Sequence, residues 1–514
     1  MILFGKYTHI KNSYKSAFIV LFLMLLSLFM KTVLACSVDV VNPDGIRYFN
    51  SASQLMAGNV LEAFSYEKML IYTLILGVIN FFVNDWTSAG QSVTVSFLVL
   101  SIIPLYIITK HWFGTNSALW SILAFIVIPS LNSLASRVVK DAPFLFFMLL
   151  ALLFGCRALT DRRLYHFFAT VSCAVLATLF RFEAIIFLPV YLLWLFSRAI
   201  YKPVERSFVC KGIMVYVAVP VVGLITMSGL LISGALDVEM LKLAWLRFSQ
   251  HYFSSDLLAN YRDIYAHLKS VEGNFPGGQW TNDFFEIARY GMPLIYFLGM
   301  LQVLAVVLFP VFLIPFFVGV RSLRDWGNNV SLLLWTITAY LGMAYFFIVT
   351  RNFLAERYLM IVAVMMLPFV GYGCDQIWQR IRSSRYPSAG MAVVVILFIC
   401  LPLYKSFAGT FEEKVEIRLA GEWLKESRDV RRQRIIATDE RIPFYAGLMR
   451  GSYEVFPEGV SSDYETFAIE RGCSLVAVDI TLRDAGDVPA FVSYKLINEF
   501  RGAKKAVLIF EALP

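Results

Sequence analysis

Long apolar runs separated by short charged segments follow one another along this chain as far as about residue 407. An α-helix needs about 20 mostly apolar residues to cross the hydrocarbon core of a bilayer. Representative runs near that length are Ser16–Ala35, Ser92–Thr109, Ala118–Leu134 and Gly212–Ile232. The pattern therefore predicts a polytopic α-helical membrane domain over residues 1–408.

The pattern changes after residue 408 to interleaved charges and short apolar stretches. Residues 411–427 carry the apolar spacing of an amphipathic helix. The predicted strands cover 434–438, 474–480 and, more weakly, 491–497 and 505–510. Residues 409–514, called the tail below, are thus predicted to form a small soluble α/β domain.

Composition agrees with this division of the chain. Of 514 residues, 58% are hydrophobic and 16% are charged, whereas soluble domains carry roughly 25% charged residues. The net charge of +8 does not by itself indicate nucleic acid, because the basic residues concentrate in alternate loops between the apolar runs. Cytoplasmic loops are enriched in Lys and Arg. The loops predicted to be cytoplasmic contain Lys6, Lys11, Lys15, Lys110, Arg157, Arg162, Arg163, Arg198, Lys202, Arg206, Lys211, Arg321, Arg324, Arg380, Arg382 and Arg385.

That alternation holds only if the apolar run Met69–Val83 does not cross the membrane. The run has fifteen residues between Lys68 and Asn84, which is short for a span, and it is interpreted as an interfacial helix in the first outer loop. About eleven spans result. In a bacterial-type inner membrane, they place the N-terminus on the cytoplasmic side and the tail on the extracytoplasmic side.

The end of the first run leaves an alternative open. Val33–Ser37 faintly matches a lipoprotein cleavage site, so a cleaved signal peptide competes with a first span. Cys36 and Cys473 fall on the predicted outer side and are a candidate pair, although nothing in the sequence brings them together. The chain has no CxxC, HExxH, Walker loop or strand-linked GxGxxG.

The predicted outer segments differ in length and chemistry from the short basic loops inside. They are the first outer loop 36–91, the long outer loop 233–290 and the tail. In the first, Asp44 lies between Pro43 and Gly45, directly before a helical pattern. A helix N-cap explains such an acid as well as catalysis does. Because the long, acid-bearing segments are the outer ones, any chemistry is expected on the outer face.

Further charges lie at predicted outer boundaries. Glu67 and Lys68 precede the interfacial run, and Asp141 opens the next apolar run after Lys140. Snorkelling accounts for the lysines, but carboxylates at that depth are costly without partners. The candidate partners of Asp141 are Lys140, Arg137 and Lys68.

Several short motifs occur together and in order along the chain. They are Asp44-Gly45 with Tyr48 and Gly58, Tyr66-Glu67-Lys68, Asp85-Trp86 with Ala89-Gly90, Lys140-Asp141-Ala142-Pro143, Arg181-Phe182-Glu183, Arg357-Tyr358-Leu359 and Arg441-Ile442-Pro443-Phe444-Tyr445. In this set the chain resembles the GT-C superfamily of membrane glycosyltransferases, in the glycosyltransferase-39-like branch of protein O-mannosyltransferases and lipid A aminoarabinose transferases. It departs from that family where Met69-Leu70 stand in place of prolines.

The resemblance implies an inverting transfer of a sugar from a polyprenyl-phosphate donor to a lipid, glycan or protein acceptor. It implies that Asp44 is the base or acceptor-orienting acid. Cations stabilise a departing phosphate, and the candidates are Lys68, Arg357 and, more weakly, Arg351. Glu67 and Asp141 are candidate substrate-binding acids. Interfacial anchoring is the alternative role of the two arginines.

No cofactor is certain from the sequence, but a divalent metal held by Glu67 and His251 of the long outer loop is a weak candidate. Arg181 and Glu183 lie two residues apart, a spacing at which helical side chains do not meet, so each is expected to need another partner. The segment Asn274–Trp280 is interpreted as either a lid or a surface loop. The tail is expected either to bind the acceptor or to act as a structural cap.

Two other functions compete with glycosyl transfer. A flippase or secondary transporter of a lipid-linked or envelope precursor would show broken helices in matching halves and ionisable groups at mid-span. A non-enzymatic assembly protein would leave the outer acids unexplained. The charges here concentrate at the outer ends of the spans, which favours the transferase.

Overall fold

The computed structural model describes residues 2–38, 40–233, 257–274, 279–321, 330–408, 414–427, 430–448, 451–457, 464–481, 491–502 and 504–513, with isolated positions between 238 and 249. The helices are α1 Ile2–Cys36, α2 Pro43–Met56, α3 Val60–Tyr66, α4 Leu70–Val83, α5 Trp86–Leu100, α6 Ile102–Val127, α7 Pro129–Ala135, α8 Asp141–Thr160, α9 Tyr165–Phe180, α10 Phe187–Tyr201, α11 Arg206–Ile232, α12 Ala259–Asn274, α13 Gln279–Leu308, α14 Leu313–Arg321, α15 Val330–Arg351, α16 Glu356–Arg382, α17 Pro387–Val395, α18 Leu401–Ala408, α19 Val415–Ser427, α20 Arg441–Tyr445 and α21 Tyr464–Glu470. The strands are β1 Ile435–Ala437, β2 Tyr453–Val455, β3 Leu475–Thr481, β4 Tyr494–Arg501 and β5 Lys505–Ala512.

The chain divides into two compact units. The membrane unit contains Met1–Lys31, Thr94–Leu134 and Lys140–Ser406. The loop–tail unit contains Thr32–Val93, Ala135–Val139 and Phe407–Pro514. The tail therefore forms one unit with the first outer loop.

Among the described residues, nine helices are long and apolar enough to cross a membrane, or ten if a bent pair is counted. One of the nine, Trp86–Val127, has 42 residues and contains a non-helical Gly114 with φ 87°. Its length and the break at Gly114 allow more than one crossing, and the 16-residue apolar helix Tyr165–Phe180 is too short to be among the nine. The polytopic helical architecture is thus confirmed, with a second short apolar helix, Pro310–Arg321, outside that count.

The second helix of the bent pair corresponds to the apolar run that the sequence predicts not to cross the membrane. Helices Val60–Tyr66 and Leu70–Val83 meet at 110°. The second has 14 residues, which at 1.5 Å per residue rise about 21 Å, less than the ~30 Å hydrocarbon core. Its length therefore fits an interfacial helix.

Small residues let the spans of the membrane unit approach closely. A Cβ on Gly373 would lie 1.8 Å from the carbonyl oxygen of Pro315, and one on Gly371 would lie 2.0 Å from Ser121 Oγ. Such positions tolerate only glycine, as is common where membrane helices pack. Both glycines lie in Glu356–Arg382, the most buried of the candidate spans.

The tail is a five-stranded mixed sheet in the order β2-β1-β3-β5-β4. Strand β1 is parallel to β2 and β3, and β5 is antiparallel to β3 and β4. Alternate residues of β1 point to opposite faces, so Ile435 and Ala437 pack into one apolar cluster and Ile436 into another. The helix and the four strands predicted for the tail are confirmed, whereas β2, α20 and α21 were not predicted.

All seven cysteines are free thiols. Cys36 is exposed and Cys473 is buried, and both belong to the loop–tail unit. The candidate pairing of these two cysteines is therefore wrong for this fold.

Candidate functional site

Asp44 lies in the first turn of helix Pro43–Met56 and not at its cap. Pro43 is the first helical residue, a position where its missing N–H is harmless, and extended Asn42 (φ −73°, ψ 151°) occupies the N-cap position. The half-buried Asp44 carboxylate is thus near the positive end of the helix dipole, which favours negative charge. The capping role considered for Asp44 is excluded by this position.

The side chain of Asn42 does not cap the helix. Its amide instead makes two hydrogen bonds with the backbone of Val138: Nδ2 donates to the carbonyl oxygen at 3.1 Å, and Oδ1 accepts the N–H at 2.8 Å. The residue before Asp44 is therefore tied to the segment Ala135–Val139 of the same unit.

Two glycines of the sequence motifs make room for Val138. A Cβ on Gly45 would lie 3.2 Å from Val138 Cβ and 2.8 Å from Val41 Cγ2. A Cβ on Gly90 would lie 2.5 Å from Val138 Cγ1. Gly45 and Gly90 thus allow Val138 to approach closely, and at that approach the Val138 backbone can form its two hydrogen bonds with Asn42.

The tail contacts the same helix start through its segment 440–445. Val41 N–H donates to Tyr445 Oη at 2.8 Å. Arg47 Nε lies 3.8 Å from Glu440 Oε1. The ring of Phe49 lies 5.8 Å from that of Phe444. These contacts lie on both sides of Asp44 in the sequence, so the tail and the first outer loop share one packed surface.

Glu67 and Lys68 occupy the bend between Val60–Tyr66 and Leu70–Val83. Both side chains are half-buried, and Glu67 Oε1 accepts the N–H of Met69 at 3.0 Å. The ring of Tyr48, one turn after Asp44, meets Tyr72 edge-on at 5.0 Å. Asp44, Glu67 and Lys68 therefore belong to one unit, in which helix Pro43–Met56 packs against the two helices that flank the bend.

The structure describes only one of the two proposed metal ligands. The described residues contain no group of three or more His, Cys, Asp and Glu side chains that could hold a metal ion. Glu67 contributes one carboxylate, and His251 lies outside the described residues.

Asp141 belongs to a buried ion cluster in the membrane unit. Arg181 Nη1 donates to Asp141 Oδ1, and Arg181 Nη2 donates to Glu183 Oε1 at 3.0 Å. Arg181 and Asp141 have 7% and 5% of their side chains exposed. Arg181 is thus a partner of Asp141 that was not among the three basic candidates named from sequence.

The expectation that Arg181 and Glu183 do not pair is wrong. Arg181 is extended (φ −140°, ψ 122°) and Glu183 lies in a 3₁₀ turn, because the chain breaks between two helices here. The i,i+2 rule holds for continuous α-helix. A break turns the two side chains toward each other.

The tyrosine of the Arg357-Tyr358-Leu359 motif joins two arginines. The guanidinium of Arg181 lies 4.9 Å from the Tyr358 ring centroid, and that of Arg357 lies 5.6 Å from it. The other candidate, Arg351, is exposed at the end of helix Val330–Arg351. The candidate cations of the membrane unit thus differ: Arg357 is half-buried against an aromatic ring, and Arg351 is exposed.

The long outer loop is described only in part. Residues 275–278, within the proposed lid Asn274–Trp280, lie outside the described residues. Among the described residues of this loop, Arg289 Nη1 donates to Glu272 Oε2 at 2.6 Å, and the Arg289 guanidinium lies 5.3 Å from the Tyr265 ring. This ion pair joins helices Ala259–Asn274 and Gln279–Leu308.

Sequence reasoning missed one buried cation in the first span. Lys31 has 1% of its surface exposed, and its Nζ donates to Asn132 Oδ1 at 2.7 Å. Asn132 Nδ2 in turn donates to Ser406 Oγ at 3.0 Å. A lone lysine inside an apolar run was the available signal, but the run was interpreted only by its length.

Charges in the tail fix the segment that contacts the first outer loop. Burial alone would raise the pKa of the Asp439 carboxyl, but the hydrogen bonds and charge of Arg441 outweigh it and hold that pKa below its ordinary value. Arg441 Nε donates to Asp439 Oδ1 at 2.8 Å, and Nη2 donates to Oδ2. This two-point pair holds the start of helix Arg441–Tyr445.

Comparison with known proteins gives one family match. The model of the family "Dolichyl-phosphate-mannose-protein mannosyltransferase" matches residues 67–232, about a third of the chain. The matched segment includes Glu67, Lys68, Asp141 and Arg181. No sequence among curated proteins is significantly similar to that of this chain.

Solved structures resemble the whole fold. ArnT from Cupriavidus metallidurans bound to undecaprenyl phosphate aligns with a TM-score of 0.56 and 14% identity, covering 95% of this chain and 97% of that one. Its apo form gives 0.56 and 13%, covering 96% and 98%. The oligosaccharyltransferase of Archaeoglobus fulgidus in complex with Zn and sulfate gives 0.55 and 11%, covering 95% and 72%.

At these identities the likeness establishes the fold, and the family match adds a sequence signal within it. The resemblance predicted from the ordered motifs is confirmed. The chain is a multi-pass membrane protein with the fold of the GT-C superfamily of glycosyltransferases, and residues 67–232 match the dolichyl-phosphate-mannose-protein mannosyltransferase family.

Proposed function

We propose that this protein transfers a sugar from a polyprenyl-phosphate donor to an acceptor at the extracytoplasmic face of a bacterial-type inner membrane. The observation that carries the proposal is the placement of Asp44. It is a half-buried acid in the first turn of a helix, in the same unit as Glu67 and Lys68. The fold and the family match support a donor of this class, since the ArnT structure contains undecaprenyl phosphate.

In the proposed reaction an acceptor hydroxyl attacks the anomeric carbon from the face opposite the phosphate. The new oxygen–carbon bond forms as the bond from that carbon to the phosphate oxygen breaks, so the configuration inverts. The hydroxyl proton passes to the Asp44 carboxylate, or Asp44 orients the hydroxyl and a solvent water takes the proton. The phosphate departs with the bonding electron pair.

Cations are needed where this negative charge develops. Lys68 is assigned that role because it lies in the same unit as Asp44. Arg357 and Arg351 of the membrane unit are the further candidates. Asp141, expected from the sequence to bind substrate, is instead assigned to holding Arg181, since its carboxylate binds that guanidinium.

The orientation of the chain belongs to the proposal as well. The N-terminus is assigned to the cytoplasm and the tail to the outer side, because this arrangement keeps the short basic loops inside. Cysteine labelling with a membrane-impermeant reagent tests it. The exposed native thiols Cys36 and Cys210 are predicted on opposite sides, so in intact cells Cys36 reacts and Cys210 does not.

Mass spectrometry of envelope glycans, lipids and proteins, with and without this chain, tests the activity. The expected result is loss of one sugar modification and accumulation of the polyprenyl-phosphate sugar on the outer leaflet. Accumulation of that lipid on the inner leaflet would instead support a flippase. An unchanged set of modified products would contradict both functions.

A further inference from the structure

The tail contacts the start of the Asp44 helix through a hydrogen bond to the backbone. Val41 is 3% exposed, and its N–H donates to Tyr445 Oη at 2.8 Å. Helix Pro43–Met56 begins two residues later. A restraint on this peptide therefore acts on the chain just ahead of the acid.

The same short stretch is held from a second direction. Asn42 makes two hydrogen bonds with Val138, and its carbonyl oxygen accepts the N–H of Gly45 at 2.9 Å. Val41, Asn42 and Gly45 are thus each hydrogen-bonded around Asp44. With both the tail and the segment Ala135–Val139 attached, the helix start has little freedom to move.

Tyr445 is itself held rigidly within the tail. A Cβ on Gly421 would lie 2.4 Å from Tyr445 Cβ and 2.6 Å from the carbonyl oxygen of Ile442. Helix Arg441–Tyr445 therefore lies directly on helix Val415–Ser427. The Asp439–Arg441 pair holds its other end, so the hydroxyl of Tyr445 projects from a fixed base.

We propose that Tyr445 is a positioning residue, through which the tail holds the Asp44 helix in the geometry that glycosyl transfer requires. The inference rests on the proposed function and gives the tail a role distinct from acceptor binding. Preorganised groups lose activity when displaced by about 1 Å. Loss of the Tyr445 hydroxyl is expected to loosen the helix start without touching the donor.

The test compares Tyr445→Phe with Tyr494→Phe in full-length protein in lipid nanodiscs. Tyr494 is a matched control because its hydroxyl also bonds to a backbone group, the carbonyl oxygen of Cys473 at 2.7 Å, but within the tail. Hydrogen–deuterium exchange of the peptide 40–48 is measured first. Loss of a hydrogen bond worth about 1 kcal/mol corresponds to roughly fivefold faster exchange, expected in Tyr445→Phe and absent in Tyr494→Phe.

Sugar transfer is then measured with the polyprenyl lipid extract of the producing cells as donor. Tyr445→Phe is expected to lower kcat at least about fivefold while the KM for the extract stays within about twofold. Unchanged exchange at 40–48 would overturn the proposal whatever the activity. Faster exchange with wild-type kcat, or an equal loss of kcat in Tyr494→Phe, would overturn it too.

The Asp44→Asn variant distinguishes failure of the proposed function from failure of the positioning role of Tyr445. If Asp44→Asn transfers sugar normally, the role of Asp44 is wrong, while the exchange experiment still shows whether Tyr445 restrains the helix start. If Asp44→Asn is inactive and Tyr445→Phe is fully active, only the positioning role is wrong.

Discussion

The membrane unit and the first outer loop each hold an acid of the candidate site, and they hold it in different ways. In the membrane unit, Asp141 and Glu183 bind the buried Arg181, and their charges are used within the fold. In the loop–tail unit, Asp44 stays half-buried on a helix whose start is held by neutral hydrogen bonds from Tyr445 and Asn42. A carboxylate that an arginine neutralises suits architecture, whereas one positioned through its backbone suits chemistry.

The largest expected effect is a loss of sugar-transfer activity in a variant of the first outer loop. Asp44→Asn should lower sugar transfer by about 10²- to 10⁴-fold, because an amide cannot take a proton from the acceptor. Membrane levels should stay normal. Initial rates with purified protein and the lipid extract measure the loss.

Asp85→Asn is the matched control in the same loop. Asp85 Oδ2 accepts the N–H of Ser88 at 2.7 Å, a role that asparagine also performs at a helix start. Equal activity of Asp44→Asn and wild type would end the distinction drawn here between a chemical acid and structural ones.

The membrane unit should respond through stability. Arg181→Met leaves two acids without their buried cation, which destabilises by about 3–5 kcal/mol. Thermal unfolding in nanodiscs should therefore begin at a markedly lower temperature. Membrane levels should fall in parallel.

A triple variant sharpens this result. Arg181→Met with Asp141→Asn and Glu183→Gln removes all three charges, so most of the lost stability should return. If the single variant is as stable as wild type, the cluster is not architectural. A stable single variant with no activity would move Arg181 into the reaction.

Lys68 should show an intermediate effect on activity alone. Lys68→Met is expected to slow transfer by about 10- to 10²-fold, because the phosphate loses a stabilising cation. Lys68→Arg should retain most of the rate, since it keeps the charge. Equal rates in Lys68→Met and wild type would remove Lys68 from the site.

The smallest effect concerns a buried acid of the tail. Burial raises the pKa of the Glu416 carboxyl above its ordinary 4.5, and the charge of Asp479 raises it further. The backbone N–H of Glu416 and the charges of Lys414 and Lys505 lower this pKa, but by less. The folded protein therefore binds this proton more tightly than the unfolded chain does. The ionised form costs stability above the raised pKa, and the cost disappears as the pH falls below 4.5.

Glu416→Gln should consequently stabilise the tail at pH 7.5 by less than about 1 kcal/mol and make no difference near pH 4. Hydrogen exchange of helix Val415–Ser427, compared with wild type at each pH, measures the change. Destabilisation at pH 7.5 would show that the carboxylate acts like the paired acids of the membrane unit.

Much of the fold was predictable because apolar length and period-two alternation are local properties of the sequence. The first span, predicted over Ser16–Ala35, lies within the span Lys15–Cys36, and strand Leu475–Thr481 nearly coincides with its prediction. Short elements such as Tyr453–Val455 were missed, since three residues carry too little pattern.

For the candidate site, the sequence allowed residues to be named but not the partners of their side chains. Asp44, Glu67 and Lys68 were named from their positions beside a turn and an interfacial run. Arg181 was missed as a partner of Asp141, since the two are 40 residues apart in the sequence. The pairing of Arg181 with Glu183 depended on a helix break that the rule for continuous helices does not cover.

The sequence alone determined a multi-pass membrane protein with a sheet-containing tail and an acid in its first outer loop. These follow from bilayer thickness, strand periodicity and ordered motifs, all of which are local. Only the tertiary structure decided that the tail packs on the Asp44 helix through Tyr445, 404 residues from Val41. It also decided that Asp141 is bound by an arginine. Contacts between distant residues depend on how whole elements pack, and no local pattern encodes them.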